Sequence, residues 1–112
     1  MAPKSSTNRP TLLIGSAGQL GSDLMKVLAG REVVGLAHSQ LDITQPKLTR
    51  EAMEHFTPST VINTAAYNRV DECEFHPERG LMVNAVGAYN LAVACKASGA
   101  ALVHFSTDYV FD

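Results

Sequence analysis

A glycine-rich loop between an apolar run and an amphipathic stretch constrains this chain more than any other feature. Gly15-Ser16-Ala17-Gly18-Gln19-Leu20-Gly21 directly follows Leu12-Leu13-Ile14. A strand, a glycine loop and a helix in this order present backbone N–H groups to a diphosphate at the helix N-terminus. The spacing G-x-x-G-x-x-G has one residue more before its middle glycine than the commonest dinucleotide fingerprint, and no Walker A Gly-Lys-Ser/Thr follows. The pattern predicts a diphosphate-binding loop, with a purely structural turn as the alternative.

Apolar runs alternate with helical patterns through the rest of the chain. Strands are predicted at Thr11–Ile14, Glu32–Ala37, Thr60–Asn63 and Ala101–Phe105, with a very short one at Leu41–Ile43, and helices at Gln19–Ala29, Pro46–Phe56 and Pro77–Ala97. Continuous apolar runs indicate strands that are buried on both faces, as in a parallel sheet between helices. We therefore predict an α/β fold, a doubly wound, Rossmann-like parallel sheet that is incomplete at its C-terminal side, with ligands at the carboxyl ends of the strands.

The spacing of apolar residues also predicts which helix faces are buried. In the second helix we expect Thr44 as the N-terminal cap and an inward face of Leu48, Ala52 and Phe56. In the third helix, the expected buried stripe consists of Leu81, Ala85, Ala88, Ala92 and Cys95.

Length and composition indicate one domain, with residues 1–10 as a flexible extension and residues 11–112 as the Rossmann domain. The net charge of -2 and the scattered basic residues argue against a nucleic-acid partner. No apolar run suits a signal peptide or a membrane span, so no membrane partner is expected. Cys73 and Cys95 form no C-x-x-C motif, which favours a reduced, cytoplasmic protein. Because the chain stops two residues after Val110, beside a strand that would be a bare sheet edge, we expect the front portion of a longer protein or a truncated product.

Asp42 is the first polar candidate beyond the glycine loop. It lies 21 residues after Gly21, where an acidic residue commonly binds the ribose 2′-hydroxyl of NAD. The predicted second strand, however, is followed by His38 and Ser39, which carry no negative charge to repel a 2′-phosphate. NADP(H) is therefore permitted as well. Asp42 is expected either to meet the adenine or to cap the following helix.

The segment after the last predicted strand, Ser106-Thr107-Asp108-Tyr109-Val110-Phe111-Asp112, is the second candidate. A hydroxyl there can donate a hydrogen bond to a substrate carbonyl oxygen as negative charge develops on it. A simple turn is the alternative, and it is the one that these residues favour when taken alone. The four histidines are too dispersed for metal ligands, so no metal site is predicted, and His104 is expected to be a core histidine on a buried strand.

Five motifs occur in an order that carries a family resemblance: Gly15 to Gly21, Asn63-Thr64-Ala65-Ala66-Tyr67, Val70-Asp71-Glu72-Cys73-Glu74, Val83-Asn84-Ala85 and Ser106 to Asp112. From about Thr11 to the last residue, the chain resembles the dTDP-4-dehydrorhamnose reductases, which belong to the extended short-chain dehydrogenases/reductases. The resemblance implies reduction of the 4-keto group of dTDP-4-dehydro-L-rhamnose with NADPH or NADH. The product would be dTDP-L-rhamnose, a donor for bacterial surface polysaccharides.

The resemblance also implies roles for individual residues. The diphosphate would be held by Gly15, Gly18, Gln19, Leu20 and Gly21. Asp42 and Ile43 would flank the adenine, and the channel toward the nicotinamide ribose would be lined by Ala65, Ala66 and Tyr67. Thr107 would be the catalytic hydroxyl that polarises the keto oxygen. The expected partners are thus the dinucleotide and a nucleotide-sugar, and a homodimer is left open.

One departure from the family is large. Its proton donor is a tyrosine with a lysine four residues later, and the charge of the lysine lowers the pKa of the phenol. No Tyr-x-x-x-Lys occurs among these 112 residues, so we expect the chain by itself to be inactive. The alternative is a non-catalytic, dinucleotide-binding regulatory subunit. The regulatory subunit of methionine adenosyltransferase is similar in this respect and carries a related Ser/Thr-Asp-Tyr-Val-Phe-Asp segment.

Overall fold

The computed structural model describes residues 9–65 and 77–105. These residues form strands β1 (Thr11–Ile14), β2 (Val33–Leu36), β3 (Thr60–Asn63) and β4 (Ala101–His104), and helices α1 (Gln19–Val27), α2 (Pro46–Phe56) and α3 (Pro77–Ser98). The strands pair in the order β2-β1-β3-β4, and all three pairings are parallel. The predicted α/β fold with a parallel, Rossmann-like sheet is confirmed.

The register aligns the carboxyl ends of the four strands. Ile14 of β1 lies opposite both Leu36 of β2 and Asn63 of β3, and Asn63 in turn lies opposite His104 of β4. The segments that leave these strands therefore begin along one edge of the sheet, which we call the carboxyl edge. Every described candidate residue follows one of these strand ends.

The core lies where the sheet packs against the helices. Its buried apolar members are Leu12, Ile14, Leu36, Leu41, Ile43, Met53, Val61, Leu91, Ala94 and Cys95. Burial raises the pKa of the Cys95 thiol above its usual value, because desolvation disfavours the thiolate. The thiol is thus a packing group, in agreement with its interpretation from the sequence.

The second strand and its sequel differ from the prediction. β2 is shorter at both ends, at Val33–Leu36, and residues 41–43 form no strand. The N–H of Leu41 donates to the carbonyl of Ala37, and the N–H and hydroxyl of Thr44 both donate to Asp42 Oδ1, at 3.0 and 2.7 Å. Such local bonds fix turns and use the groups that a sheet ladder would need.

Two expectations for α2 are wrong. Leu48 is exposed, and the buried residues of this helix are Thr49 and Met53, although Ala52 and Phe56 do pack against the core. Thr44 does not cap the helix, because its hydroxyl is bound to Asp42. The capping position belongs instead to Gln45, which makes no side-chain capping bond.

The predicted stripe of α3 is also wrong at two of its positions. Ala85 and Ala92 are exposed, whereas the helix buries Gly87, Asn90, Leu91, Ala94 and Cys95. A second apolar row, made of Met82, Val86, Tyr89 and Val93, is exposed. Since this helix carries apolar residues on opposite sides, spacing alone could not decide which side faces the sheet.

Within residues 9–65 and 77–105, no helix combines the length and the apolar character that crossing a bilayer requires.

Candidate dinucleotide-binding site

The glycine loop turns the chain from the end of β1 into α1. Gly15 has φ +89°, a conformation that side chains disfavour, and its N–H and that of Ser16 both donate to the carbonyl of Leu36, at 2.8 and 3.2 Å. The N–H of Gly18 donates back to the carbonyl of Gly15 at 3.1 Å. The loop is thereby closed on itself and fastened to β2.

The start of α1 leaves backbone donors without helical partners. The N–H of Ser22 donates to the carbonyl of Gly18 at 2.8 Å, so the amide groups of Gln19, Leu20 and Gly21 precede the first helical bond. Gly18 occupies the capping position without a side-chain bond, and the first turn contains no acidic residue. These donors and the positive end of the helix dipole suit an anionic group.

Gly21 brings the helix against the loop. A Cβ at this position would overlap the carbonyl oxygen of Gly15 and lie 3.0 Å from the Cα of Ser16. The close approach is one that glycine alone permits, as expected for the last glycine of a dinucleotide fingerprint. Gly15, Gly18, Gln19, Leu20 and Gly21 are therefore together in one compact turn at the carboxyl edge.

A second support lies beneath the loop, in the middle of β2. A Cβ at Gly35 would lie 2.8 Å from the Cβ of Ser16 and 3.0 Å from the sulfur of Met25. The absence of a side chain at Gly35 thus lets the loop and α1 settle on the sheet. Gly35 was not among the residues predicted from the sequence, although a glycine inside a strand is a known signal of close approach.

The segment that leaves β2 forms a turn at residues 41–44. The carboxylate of Asp42 accepts two hydrogen bonds from Thr44, and its Oδ1 lies 3.8 Å from His38 Nε2. The Ile43 side chain is buried, and a Cβ at Gly87 of α3 would lie 2.6 Å from Ile43 Cδ1. Contact of Asp42 and Ile43 with adenine stays a prediction.

Asn90, three residues after Gly87 on α3, also holds this turn. Its buried Nδ2 donates a 2.8 Å hydrogen bond to the carbonyl of Ile43. The helix and the turn are thus joined by a polar contact as well as by packing. A single asparagine inside a helical pattern gave no sequence signal for this contact.

At the end of β3, Asn63 links two strand exits. Its Oδ1 accepts from the N–H of Ala65 at 3.0 Å, and its Nδ2 lies 3.0 Å from Nδ1 of His104. His104 is exposed at the carboxyl edge, so the expectation of a core histidine is wrong. The reason is that β4 lies at one side of the described sheet, with little covering it.

The structure thus describes three groups of predicted site residues: the glycine loop after β1, the turn with Asp42 and Ile43 in the segment after β2, and Ala65 after β3. The exit of β3 contacts the loop through Thr64, and the turn contacts α3. The predicted residues Ala66, Tyr67 and Thr107 lie outside the described residues. Among the residues that the structure does describe, no group of three or more His, Cys, Asp or Glu could hold a metal ion.

The parallel sheet and its glycine loop define a Rossmann-like α/β protein. Residues 9–112 match the family model described as the RmlD substrate binding domain. The chain therefore belongs to that family.

Named relatives agree with this membership. The chain is 45% identical over 103 residues to a dTDP-4-dehydrorhamnose reductase of Mycobacterium tuberculosis, covering 90% of this chain and 33% of the relative. A crystal structure of a dTDP-4-dehydrorhamnose reductase from Clostridium acetobutylicum superposes with a TM-score of 0.81 and 40% identity, over 92% of this chain and 38% of that one. The enzyme from Bacillus anthracis, crystallised in complex with NADP, gives a TM-score of 0.81 at 35% identity, over 93% and 38%. The chain thus spans between a third and two fifths of these relatives.

Proposed function

We propose that this chain supplies the dinucleotide-binding part of a reductase that converts dTDP-4-dehydro-L-rhamnose to dTDP-L-rhamnose with NADPH or NADH. The observation that carries the proposal is the glycine loop at the carboxyl edge. There, three amide groups at the start of α1 lack helical partners, and the first turn of this helix contains no acidic residue. The names of the relatives support the proposed identity of the substrate, and the NADP complex of the Bacillus anthracis enzyme supports the proposed cofactor.

The residues present fit a dinucleotide. Gly21 leaves the loop free of a Cβ, and Gly18 leaves the capping position free of a side chain that would compete with a phosphate. Gln19, Leu20 and Gly21 would donate their N–H groups to the diphosphate. We assign Asp42 and Ile43 to the adenine side, and Ala65, Ala66 and Tyr67 to the nicotinamide side.

Thr107 is proposed as the group that acts on the substrate. When bound, the dinucleotide supplies a hydride to the keto carbon. The hydroxyl of Thr107 would donate a hydrogen bond to the keto oxygen, where negative charge develops during the transfer. The proton that completes the new alcohol would come from a tyrosine paired with a lysine, and these 112 residues contain no such pair.

Substitution at Gly18 tests the diphosphate site by charge. Gly18→Asp supplies a good helix cap, so the helix should remain stable, but it places a carboxylate where the diphosphate would lie. Gly18→Asn is the matched control, with the same shape and no charge. Titration with NADPH and NADH should show binding at least about tenfold weaker for Asp than for Asn. Equal affinities of the two variants would contradict the proposed site.

Turnover tests the reaction. The purified full-length protein should oxidise NADPH or NADH when dTDP-4-dehydro-L-rhamnose is added, and the 112-residue chain alone should not. Thr107→Val should lower kcat by roughly a hundredfold while the affinity for NADPH changes little. Dinucleotide binding without turnover in the full-length protein would instead favour a non-catalytic, regulatory role.

A further inference from the structure

Thr64, the first residue after β3, connects two strands with the glycine loop. Its side chain is fully buried, and its Oγ1 donates to the carbonyl of Ile14 at 2.7 Å and lies 3.3 Å from the carbonyl oxygen of Gly15. Its own N–H also donates to the carbonyl of Ile14, at 2.9 Å. The residue that follows β3 thus contacts both the last residue of β1 and the first residue of the loop.

The carbonyl of Gly15 is the point on which the loop closes. It accepts the hydrogen bond from Gly18 N–H, and the Cα of Gly21 lies so near that a Cβ there would overlap it. The direction of this carbonyl therefore determines both the path of the loop and the position of the first helical turn of α1. A contact that fixes the Gly15 carbonyl also fixes where the amide groups at the helix start point.

The hydroxyl of Thr64 is not needed to satisfy either buried carbonyl. Ile14 O already accepts from the N–H of Thr64, and Gly15 O already accepts from the N–H of Gly18. A hydroxyl that leaves no acceptor orphaned when removed contributes little to satisfying buried polar groups. What it adds is orientation, since its Oγ1 contacts the two consecutive carbonyls of Ile14 and Gly15.

We infer that Thr64 is a positioning residue of the cofactor site, which holds the Gly15 carbonyl so that the amide groups of Gln19 to Gly21 are set for a diphosphate. This inference rests on the proposed function for its ligand. In this role Thr64 acts through the loop and does not need to contact the dinucleotide. The part of the inference that concerns the loop, namely that Thr64 orders it in the cofactor-free protein, does not depend on any ligand.

Three variants of the full-length protein separate positioning from stability. Thr64→Val removes the hydroxyl and keeps the branched shape, and Thr64→Ser keeps the hydroxyl. Thr60→Val makes the same substitution at the amino end of β3, where Thr60 is half-buried and remote from the loop. Each variant is titrated with NADPH, and its melting temperature and the amide hydrogen exchange of residues 16–22 are measured without cofactor.

We expect Thr64→Val to weaken NADPH binding about tenfold. It should also speed exchange in residues 16–22, with a melting temperature near that of the wild type. Thr64→Ser should restore tight binding and slow exchange, and Thr60→Val should change neither. Unchanged binding and exchange in Thr64→Val would overturn the inference, and so would equal loss in the Ser and Val variants.

The two proposals fail in different ways. If the wild-type protein binds neither NADPH nor NADH, the proposed function fails, while the exchange of residues 16–22 in Thr64→Val still decides whether Thr64 orders the loop. If the wild type binds and Thr64→Val binds equally well, the function stands and the positioning role is refuted.

Discussion

β1 and β4 are both four-residue parallel strands with mainly apolar sequences, Thr-Leu-Leu-Ile and Ala-Leu-Val-His, but they are buried very differently. Three residues of β1 are buried, whereas Ala101, Val103 and His104 of β4 are exposed. The difference comes from position, because β1 has a paired strand on each side and β4 borders the described sheet. Apolar sequence makes a strand suitable for burial, and its neighbours decide whether it is buried.

The same contrast applies to the site residues that follow each strand. The loop after β1 is fixed by hydrogen bonds to the carbonyl of Leu36 on β2 and by the contact of its Gly15 carbonyl with Thr64 beyond β3. The exit of β4 is joined to β3 through the pair of Asn63 and His104. The loop after β1 is thus held from both neighbouring strands, and the exit of β4 is held from one.

Gly21→Ala should have the largest effect, because it attacks the better-fixed region at its tightest contact. Its Cβ would overlap the Gly15 carbonyl, so the loop or α1 must shift. We expect a loss of roughly 2–3 kcal/mol in unfolding free energy, as for overpacking, together with loss of NADPH binding. The measurements are chemical denaturation and cofactor titration.

Gly30→Ala is the control for Gly21→Ala. Gly30 also has a restrictive backbone, with φ +91°, but nothing lies within 4 Å of a Cβ there. Gly30→Ala should lower the unfolding free energy by about 1 kcal/mol, because of backbone strain, and should bind NADPH normally. If Gly21→Ala behaved like Gly30→Ala, the close contact between loop and helix would be unimportant.

Val61→Ala and Val103→Ala compare the two regions with one chemical change. Val61 of β3 is 0% exposed, and Val103 of β4 is 44% exposed. The first should lower the unfolding free energy by about 2 kcal/mol and the second by less than about 0.5 kcal/mol. Denaturation of both variants checks this. Similar losses would mean that Val103 is covered in the purified protein, and the contrast between the strands would disappear.

Asn63→Ala tests the link between the exits of β3 and β4. The variant lacks the buried amide oxygen that accepts from Ala65 N–H, and we expect the unfolding free energy to fall by about 1.5 kcal/mol. His104→Ala removes the exposed partner of the Asn63 amide, and water can take its place. The unfolding free energy should therefore fall by less than about 0.5 kcal/mol. Denaturation of the pair gives both values. A larger loss in His104→Ala would show that β4, and not Ala65, depends on this link.

The smallest effect concerns Cys95 and pH. Because burial raises its pKa in the folded state, the unfolded chain loses its thiol proton first as the pH rises above about 8.5. The unfolding free energy should therefore be unaffected by this group near pH 7 and should fall as the pH rises toward the folded pKa. Cys95→Ala should show a shallower fall between neutral and alkaline pH. Identical slopes in denaturation series would contradict the raised pKa.

Much of the fold was predictable because its signals are local. The strands at Thr11–Ile14 and Thr60–Asn63 and the helix at Pro46–Phe56 were predicted with the bounds that the structure has. Glycine spacing after an apolar run indicated the loop and the start of α1. The assignments of Ile43, Ala65, Ala66, Tyr67 and Thr107 to cofactor and substrate came from family resemblance. That of Asp42 came from its spacing as well, and all of them stay predictions.

Other features depended on partners that are distant in sequence. Leu48 and Thr49 are neighbours in α2, and only packing decided that the threonine is buried. On α3, apolar residues occur on several sides, so the sheet and the turn at Ile43 selected the buried one. Thr64 is recognisable in the sequence as a polar residue after a strand, and Gly35 as a glycine within a strand. Their roles, however, depend on the contacts of Thr64 with Gly15 and of Gly35 with Ser16.

The order of apolar runs and glycines by itself determined a parallel α/β sheet with a glycine-rich turn between its first strand and first helix. Burial of each strand, the buried face of α3 and the support that Thr64 gives the loop were decided by the tertiary structure. The physical reason is range: backbone conformation and helix capping involve residues a few positions apart. Burial and carbonyl orientation, by contrast, depend on which strands and helices meet in space.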